Sequence, residues 1–298
     1  MSKAISGSFV AIVTPFHPDE TINEEALIEQ VERQIASGNN IFCNGTNGEF
    51  FAMTSDERLR VIEICVKAAR GRVPVLAHIG DISTHTTLEL ARRAEALGAD
   101  ALSCIVPYFI ACTQEEIIGH YERIASGVKV PFYLYNIPGR TGNIIESETA
   151  AHLAKHPNIH GIKDSAGTQA SVDAFLEVAR KQDNFDVLVG PDSLIHYEAT
   201  HGAVGCVSGL ANLLPTSVSG IIAAARRGDV AEGERLQAHV TKLRETLYPL
   251  GFPPSMVKWA LFLSRERIGR SRMPIALSQD KIDGIKTVLK AIELENLD

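Results

Sequence analysis

The 298-residue chain is 45% hydrophobic, 22% charged and 6% aromatic, proportions of an ordinary globular protein that exclude disordered, collagen-like and coiled-coil chains. Its 36 acidic residues outnumber 29 basic ones, and the formal net charge of −7 leaves no basic footprint for nucleic acid or anionic lipid. No apolar run reaches the ~20 residues of a membrane helix, the opening MSKAISGSFVAIVTPF lacks a signal-peptide pattern and the five cysteines form no C-x-x-C, so reduced thiols, no membrane partner and a cytoplasmic location are expected.

Short β-rich apolar runs recur at 8–15, 41–45, 74–79, 101–107, 131–138, 159–165, 185–190 and 203–208. Between them, 24–37, 56–70, 84–97, 114–126, 146–155, 169–181, 192–201 and 215–227 carry a helical period. Thr21 with Glu24, Thr54 with Glu57 and Thr113 with Glu116 have the three-residue spacing of capping boxes, in which side chains satisfy orphaned amides. Gly38, Gly71, Gly98, Gly127, Gly202 and Gly228 sit where helices end and are expected in the left-handed conformation.

Eight βα units by residue 227 predict an α/β fold, a closed (β/α)8 TIM barrel. The alternative, an open doubly wound sheet, usually has a glycine-rich turn after its first strand, and TPFHPDE is not one. Beyond 227 the strand pattern stops and helices are predicted at 229–248, 254–268 and 279–295. Two domains follow, a catalytic barrel over 1–227 and a C-terminal three-helix domain over 228–298. Apolar positions such as Leu236, Val240, Leu243, Val257, Leu261 and Ile285 are expected to pack that domain on the barrel.

In such barrels the chemistry sits at the C-terminal ends of the strands. The sixth strand brings a lysine there: Gly161, Lys163 and Ser165 share one face, and His160, Ile162 and Asp164 the other. A desolvated lumen disfavours the ammonium form, and a neutral amine attacks a keto carbonyl. The competing reading is a lysine paired with an acid, although alternation sends Asp164 to the opposite face. On the fifth strand Tyr135 lies nearer the mouth than Tyr133; its phenol suits proton transfer, whereas Tyr133 is expected to pack with its hydroxyl satisfied. After the second strand, Gly45-Thr46-Asn47-Gly48-Glu49 allows backbone amides to converge on a small carboxylate, or forms a plain βα turn. His152 and His156 have metal-ligand spacing on a predicted helix face, but HLAKHP offers no nearby acid and a surface helix is expected. His78 stands alone at a strand end, and His17 is expected to pack in a loop.

The stretches VAIVTPF, GTNGEFF, VPYF, YNIPGRTG, GIKDS and PPSMVKWAL, in this order and spacing, resemble the dihydrodipicolinate synthase and N-acetylneuraminate lyase family of Schiff-base aldolases. The resemblance implies that Lys163 forms an imine with pyruvate or a longer 2-oxo acid and needs no separate cofactor or metal. It further implies that Tyr135 moves protons, that Thr46 orients it, that the Thr46 and Asn47 amides take the pyruvate carboxylate, and that Gly190 and Ser208 line the pocket. Arg140 stands where synthases of the family bind the carboxylate of their aldehyde, and a homotetramer is implied.

Three positions depart from the family's patterns. Asn47 replaces a threonine of the lysine-pathway synthases, and Phe109 after Pro107-Tyr108 replaces a tyrosine that reaches a neighbouring subunit. Ser193 replaces the glutamate that sialate lyases carry after the aspartate of the seventh loop. Ile82 and Thr86 occupy positions of feedback-lysine binding, so no lysine inhibition is expected. The expected reaction is reversible aldol cleavage or condensation of a 2-oxo-3-deoxy acid with pyruvate. The alternatives are 4-hydroxy-tetrahydrodipicolinate synthase activity on pyruvate and aspartate semialdehyde, dehydration of a keto-deoxy sugar acid, and a ligand-binding paralogue without turnover.

Overall fold

Eight runs rich in β-branched and aromatic residues pair side by side in a computed structural model that describes residues 5–292, Leu294 and Glu295. The outermost ends of the two expected domains, with Glu293, lie outside the described residues. The strands are β1 (Gly7–Ala11), β2 (Asn40–Cys43), β3 (Val75–His78), β4 (Ala101–Ile105), β5 (Phe132–Asn136), β6 (Ile159–Asp164), β7 (Asp186–Val189) and β8 (Gly205–Ser208). Each pairs in parallel with the next, and β8 returns to β1 with Gly7 opposite Gly205 and Val10 opposite Ser208. That closure rules out the open sheet: the fold is a (β/α)8 TIM barrel followed by C-terminal helices.

Side-chain alternation divides the core in two. Phe9, Ala11, Phe42, Leu76, Ala101, Tyr133, Leu188 and Val207 fill the lumen. Their opposite-parity neighbours, such as Val10, Ile41, Cys43, Val75 and Leu102, join the layer beneath the helices. Fully burying one large apolar side chain contributes about 1.5–3 kcal/mol, so both layers stabilise the barrel. Gly205 has no room for a side chain: a Cβ there would lie 2.1 Å from the Gly7 carbonyl oxygen.

The helices are α1 (Glu24–Ala36), α2 (Ser55–Ala69), α3 (Thr84–Ala96), α4 (Gln114–Ala125), the single-turn α5 (Pro138–Thr141), α6 (Ser147–Leu153), α7 (Gln169–Ala179), α8 (Ile195–Thr200) and α9 (Pro215–Arg227). After the barrel come α10 (Val230–Leu247), α11 (Pro253–Ser264) and α12 (Gln279–Ala291). No helix among the described residues is long and apolar enough to cross a membrane.

Two of the three predicted capping boxes form, at Thr54 with Glu57 and Thr113 with Glu116. The third does not. Asn23 stands next to the first helical residue and its side chain accepts from the Ala26 amide, while Thr21 turns back to donate to Asp19 Oδ1. Gly127 likewise differs from the other helix-end glycines, which have positive φ. It is there for space, since a Cβ would meet Leu88 Cδ1 at 2.3 Å. Helix α6 ends at Leu153, so His156 lies beyond it and shares no helix face with His152. His152 pairs with Glu122 at 3.1 Å and His156 bonds Ser126 Oγ at 3.0 Å.

Candidate active site

Parallel pairing of β5 with β6 sets Tyr135 directly opposite Lys163, one residue before both strands end. Both side chains face the lumen. The Lys163 amine lies 3.9 Å from the Tyr135 ring centroid and 4.6 Å from that of Phe42. Lys163 is 4% exposed and forms no ion pair among the described residues, which removes the competing reading of a lysine held by an acid. The carboxyl of Asp164 points the other way and accepts at 2.7 Å from Asn136 Nδ2, tying β6 to β5 behind the lysine.

The Tyr135 hydroxyl lies 3.0 Å from Thr46 Oγ1. Thr46 belongs to the loop after β2, which begins at Asn44 and ends at Glu49, both in the left-handed region with φ of 56° and 57°. Within it the Gly48 amide donates to the Gly45 carbonyl and the Glu49 amide to that of Thr46. The Thr46 and Asn47 amides donate to no acceptor among the described residues, leaving two adjacent donors for an anion. The Asn47 side chain reaches the loop after β8, where a Cβ on Gly209 would lie 2.9 Å from its Nδ2.

His78, at the end of β3, is wholly buried beside Phe50, Tyr135 and Phe42, at ring distances of 4.6, 5.8 and 6.4 Å. Its Nε2 accepts from the Ile105 amide at 3.3 Å. Burial, reinforced by the nearby Arg58 guanidinium, holds the ring well below the ordinary imidazole range and keeps it neutral. Tyr133, one layer deeper, donates to Asp186 Oδ2 at 2.9 Å, and burial pushes its phenol upward.

Gly190 packs on the end of β6, where a Cβ would lie 2.0 Å from Ser165 Oγ. Ser208 is 1% exposed, and its hydroxyl donates to Asp192 Oδ1 while accepting from the Ala211 amide. Asp192 Oδ2 accepts from the Tyr248 hydroxyl at 2.6 Å, so both of its oxygens are engaged by protein groups. Burial nonetheless raises the Asp192 carboxyl above its usual range, with the Ser208 and Tyr248 bonds opposing.

Arg140, on α5 just past β5, is exposed, and its guanidinium lies 4.6 Å from the centroid of the Phe252 ring. It has no acidic partner among the described residues. Phe252, immediately before α11, also contacts Phe51 at 6.1 Å, so the C-terminal helices reach the barrel mouth. Lys163, Tyr135, Thr46, Asn47 and Arg140 therefore gather at one barrel end. The sequence reading gave no role to Phe42, His78 or Phe252. Phe252 belongs to a segment more than a hundred residues from Arg140, and only a lone aromatic before PPSM marked it.

The dihydrodipicolinate synthetase family model matches residues 4–292. A 4-hydroxy-tetrahydrodipicolinate synthase of Geobacter sulfurreducens is 36% identical over 97% of this chain and 99% of its own length. That of Pelobacter propionicus is 36% identical over 91% of this chain and 92% of its own length. Among solved structures, the chloride-inhibited dihydrodipicolinate synthase of Acinetobacter baumannii complexed with pyruvate is 34% identical, with a TM-score of 0.91 over 96% of this chain and 98% of its own. The prophage protein YagE of E. coli K12, in complex with pyruvate, is 26% identical, with a TM-score of 0.92 over 98% and 100%.

Proposed function

The chain belongs to the dihydrodipicolinate synthetase family, whose enzymes are aldolase-type lyases and synthases, and on that premise we propose that it condenses pyruvate with an aldehyde through an imine on Lys163. The observation that carries this reading is the buried Lys163 amine, without an acidic partner among the described residues and set against a Tyr135 whose hydroxyl is bonded to Thr46.

The amine adds to the keto carbon of pyruvate, and loss of water gives the imine, with Tyr135 moving protons to and from the departing oxygen. The protonated imine withdraws electrons, so a proton leaves the neighbouring methyl and the resulting enamine carbon attacks the aldehyde. Hydrolysis then frees the product from Lys163. The Thr46 and Asn47 amides hold the pyruvate carboxylate, and Thr46 Oγ1 fixes the phenol. Gly190 lines the pocket, its missing side chain giving room to Ser165 and the Asp164 carbonyl at the end of β6, whereas Ser208 lines it with its hydroxyl turned to Asp192.

For the aldehyde we favour one that bears a carboxylate, which makes 4-hydroxy-tetrahydrodipicolinate synthase activity the first named reading. Arg140 supports it, as an exposed guanidinium without an acid beside it among the described residues, whose planar fork suits a carboxylate, and so do the names of the relatives. A second reading, reversible cleavage of a 2-oxo-3-deoxy acid, draws on Asn47 and Phe109, neither of which carries a hydroxyl for a proton relay. Rates of aspartate semialdehyde condensation compared with pyruvate release from 2-oxo-3-deoxy acids separate the two. Faster cleavage of a 2-oxo-3-deoxy acid would displace the first. We also propose a homotetramer in the cytoplasm; the 91% exposed Phe109 beside the half-exposed Ile110 supports association between copies.

A further inference from the structure

Helix α11 is apolar along SMVKWAL except for one charge, Lys258, and that charge is fully buried. Its ammonium lies 2.7 Å from Glu49 Oε1 and 3.9 Å from the centroid of the Phe16 ring. Glu49 is 1% exposed, and its other oxygen accepts from the Arg272 amide at 3.1 Å. The carboxylate that closes the loop after β2 is thus gripped from two points of the chain that follow the barrel. A buried ion pair is a poor source of stability, because desolvation offsets the attraction; what it supplies here is direction, since it fixes where the Glu49 carboxylate points.

Glu49 is not a passive end to that loop. It holds a left-handed conformation with φ of 57°, unfavourable for a residue with a Cβ, and its amide donates to the Thr46 carbonyl at 3.2 Å. Fixing the Glu49 side chain therefore fixes the turn that carries the Thr46 and Asn47 amides and the Thr46 hydroxyl beside Tyr135. Burial outweighs the pull of Glu49 and brings the Lys258 ammonium down to about 8, so the cation is held there at a cost.

We propose that Lys258 is a positioning residue for catalysis, acting through Glu49 to hold the Thr46–Asn47 loop in the geometry that receives pyruvate. This rests on the imine reading above. The C-terminal helices are then part of the catalytic apparatus rather than a cover for it.

The test uses the full chain carrying Lys258→Met with Glu49→Gln, which removes both charges and leaves neither stranded, beside the single Lys258→Met variant. Steady-state kinetics are read separately for pyruvate and for the aldehyde, with borohydride trapping of pyruvate as a second measurement. The double variant is expected to fold and to raise the pyruvate KM tenfold or more. Its kcat should fall, and its aldehyde KM should stay within threefold of wild type. A pyruvate KM and trapping curve matching wild type, with only the melting temperature changed, would make the pair structural and overturn the proposal. Failure of the wild-type protein to trap pyruvate at all would remove the imine reading, and this proposal with it.

Discussion

Lys163 and Tyr135 are register partners on adjacent parallel strands, with the amine 3.9 Å from the centre of the phenol ring. The hydrogen-bond ladder of the barrel thereby sets the distance between the proposed nucleophile and the proposed proton carrier, and neither side chain has freedom to drift: they are 4% and 2% exposed. Placement on a strand pair, rather than on a loop, is how a barrel holds reacting groups to the tolerance that catalysis needs.

Removing the phenol oxygen should separate imine formation from turnover. Tyr135→Phe keeps the ring against Lys163 and is expected to lower kcat by about 10²–10⁴-fold, the ordinary contribution of a positioned acid–base group, while retaining some trapped pyruvate. Thr46→Val, which loses only the 3.0 Å bond to that hydroxyl, should show a smaller loss of the same kind. Turnover unchanged in Tyr135→Phe would reject the assigned role.

Arg140 tests the nature of the second substrate. Loss of a charge-assisted hydrogen bond costs about 1.5–3 kcal/mol, so Arg140→Ala should raise the KM of a carboxylated aldehyde by roughly 10- to 100-fold. The KM for pyruvate should not move, because its proposed cradle is the Thr46–Asn47 loop. An equal KM for carboxylated and uncarboxylated aldehydes in the wild-type enzyme would show that Arg140 binds neither.

A carboxyl outside the proposed chemistry makes a pH-dependent prediction. Glu198 is fully buried, neither of its oxygens has a partner among the described residues, and burial, with repulsion from Asp164 and Asp173, raises it to about 9 from 4.5. The folded chain therefore holds a proton that the unfolded chain releases. Stability from this group is complete below about pH 4.5 and is lost as pH rises toward 9, by at most about 1.4 kcal/mol per pH unit. Glu198→Gln should melt above wild type at pH 8, with a gap that nearly closes at pH 5. Melting curves offset equally at both pH values would contradict this.

The strand and helix pattern was legible because each strand is a local run with period two and each helix a local run with period 3.6; the eight strands and the helices between them lie where the periodicities predict, except the single-turn α5, which begins at the residue where the fifth strand was expected to end. The misreadings are also local. Thr21 has the spacing of a cap, but Asn23 is nearer the first turn and takes the amide, a choice that spacing alone does not make. Gly127 has the position of a helix-ending glycine, and only the approach of Leu88 gives the actual reason for it.

The site was legible where alternation along one strand was enough, as for Lys163 and Tyr135, and illegible where the contact is tertiary. His78 reads as a lone histidine until the barrel closes and surrounds it with Phe50, Phe42 and Tyr135. Glu49 and Lys258 are separated by 209 positions. The one trace of their pairing was a single charge in an otherwise apolar helix, which had to be either misplaced or paired. The fold supplied the partner.

The most direct test of the account is mass spectrometry of the protein after borohydride reduction in the presence of pyruvate. One added pyruvate-derived group per chain is expected, localised to the peptide carrying Lys163 and absent from Lys163→Ala. Reduction that leaves Lys163 unmodified, or an adduct that persists in Lys163→Ala, would contradict it.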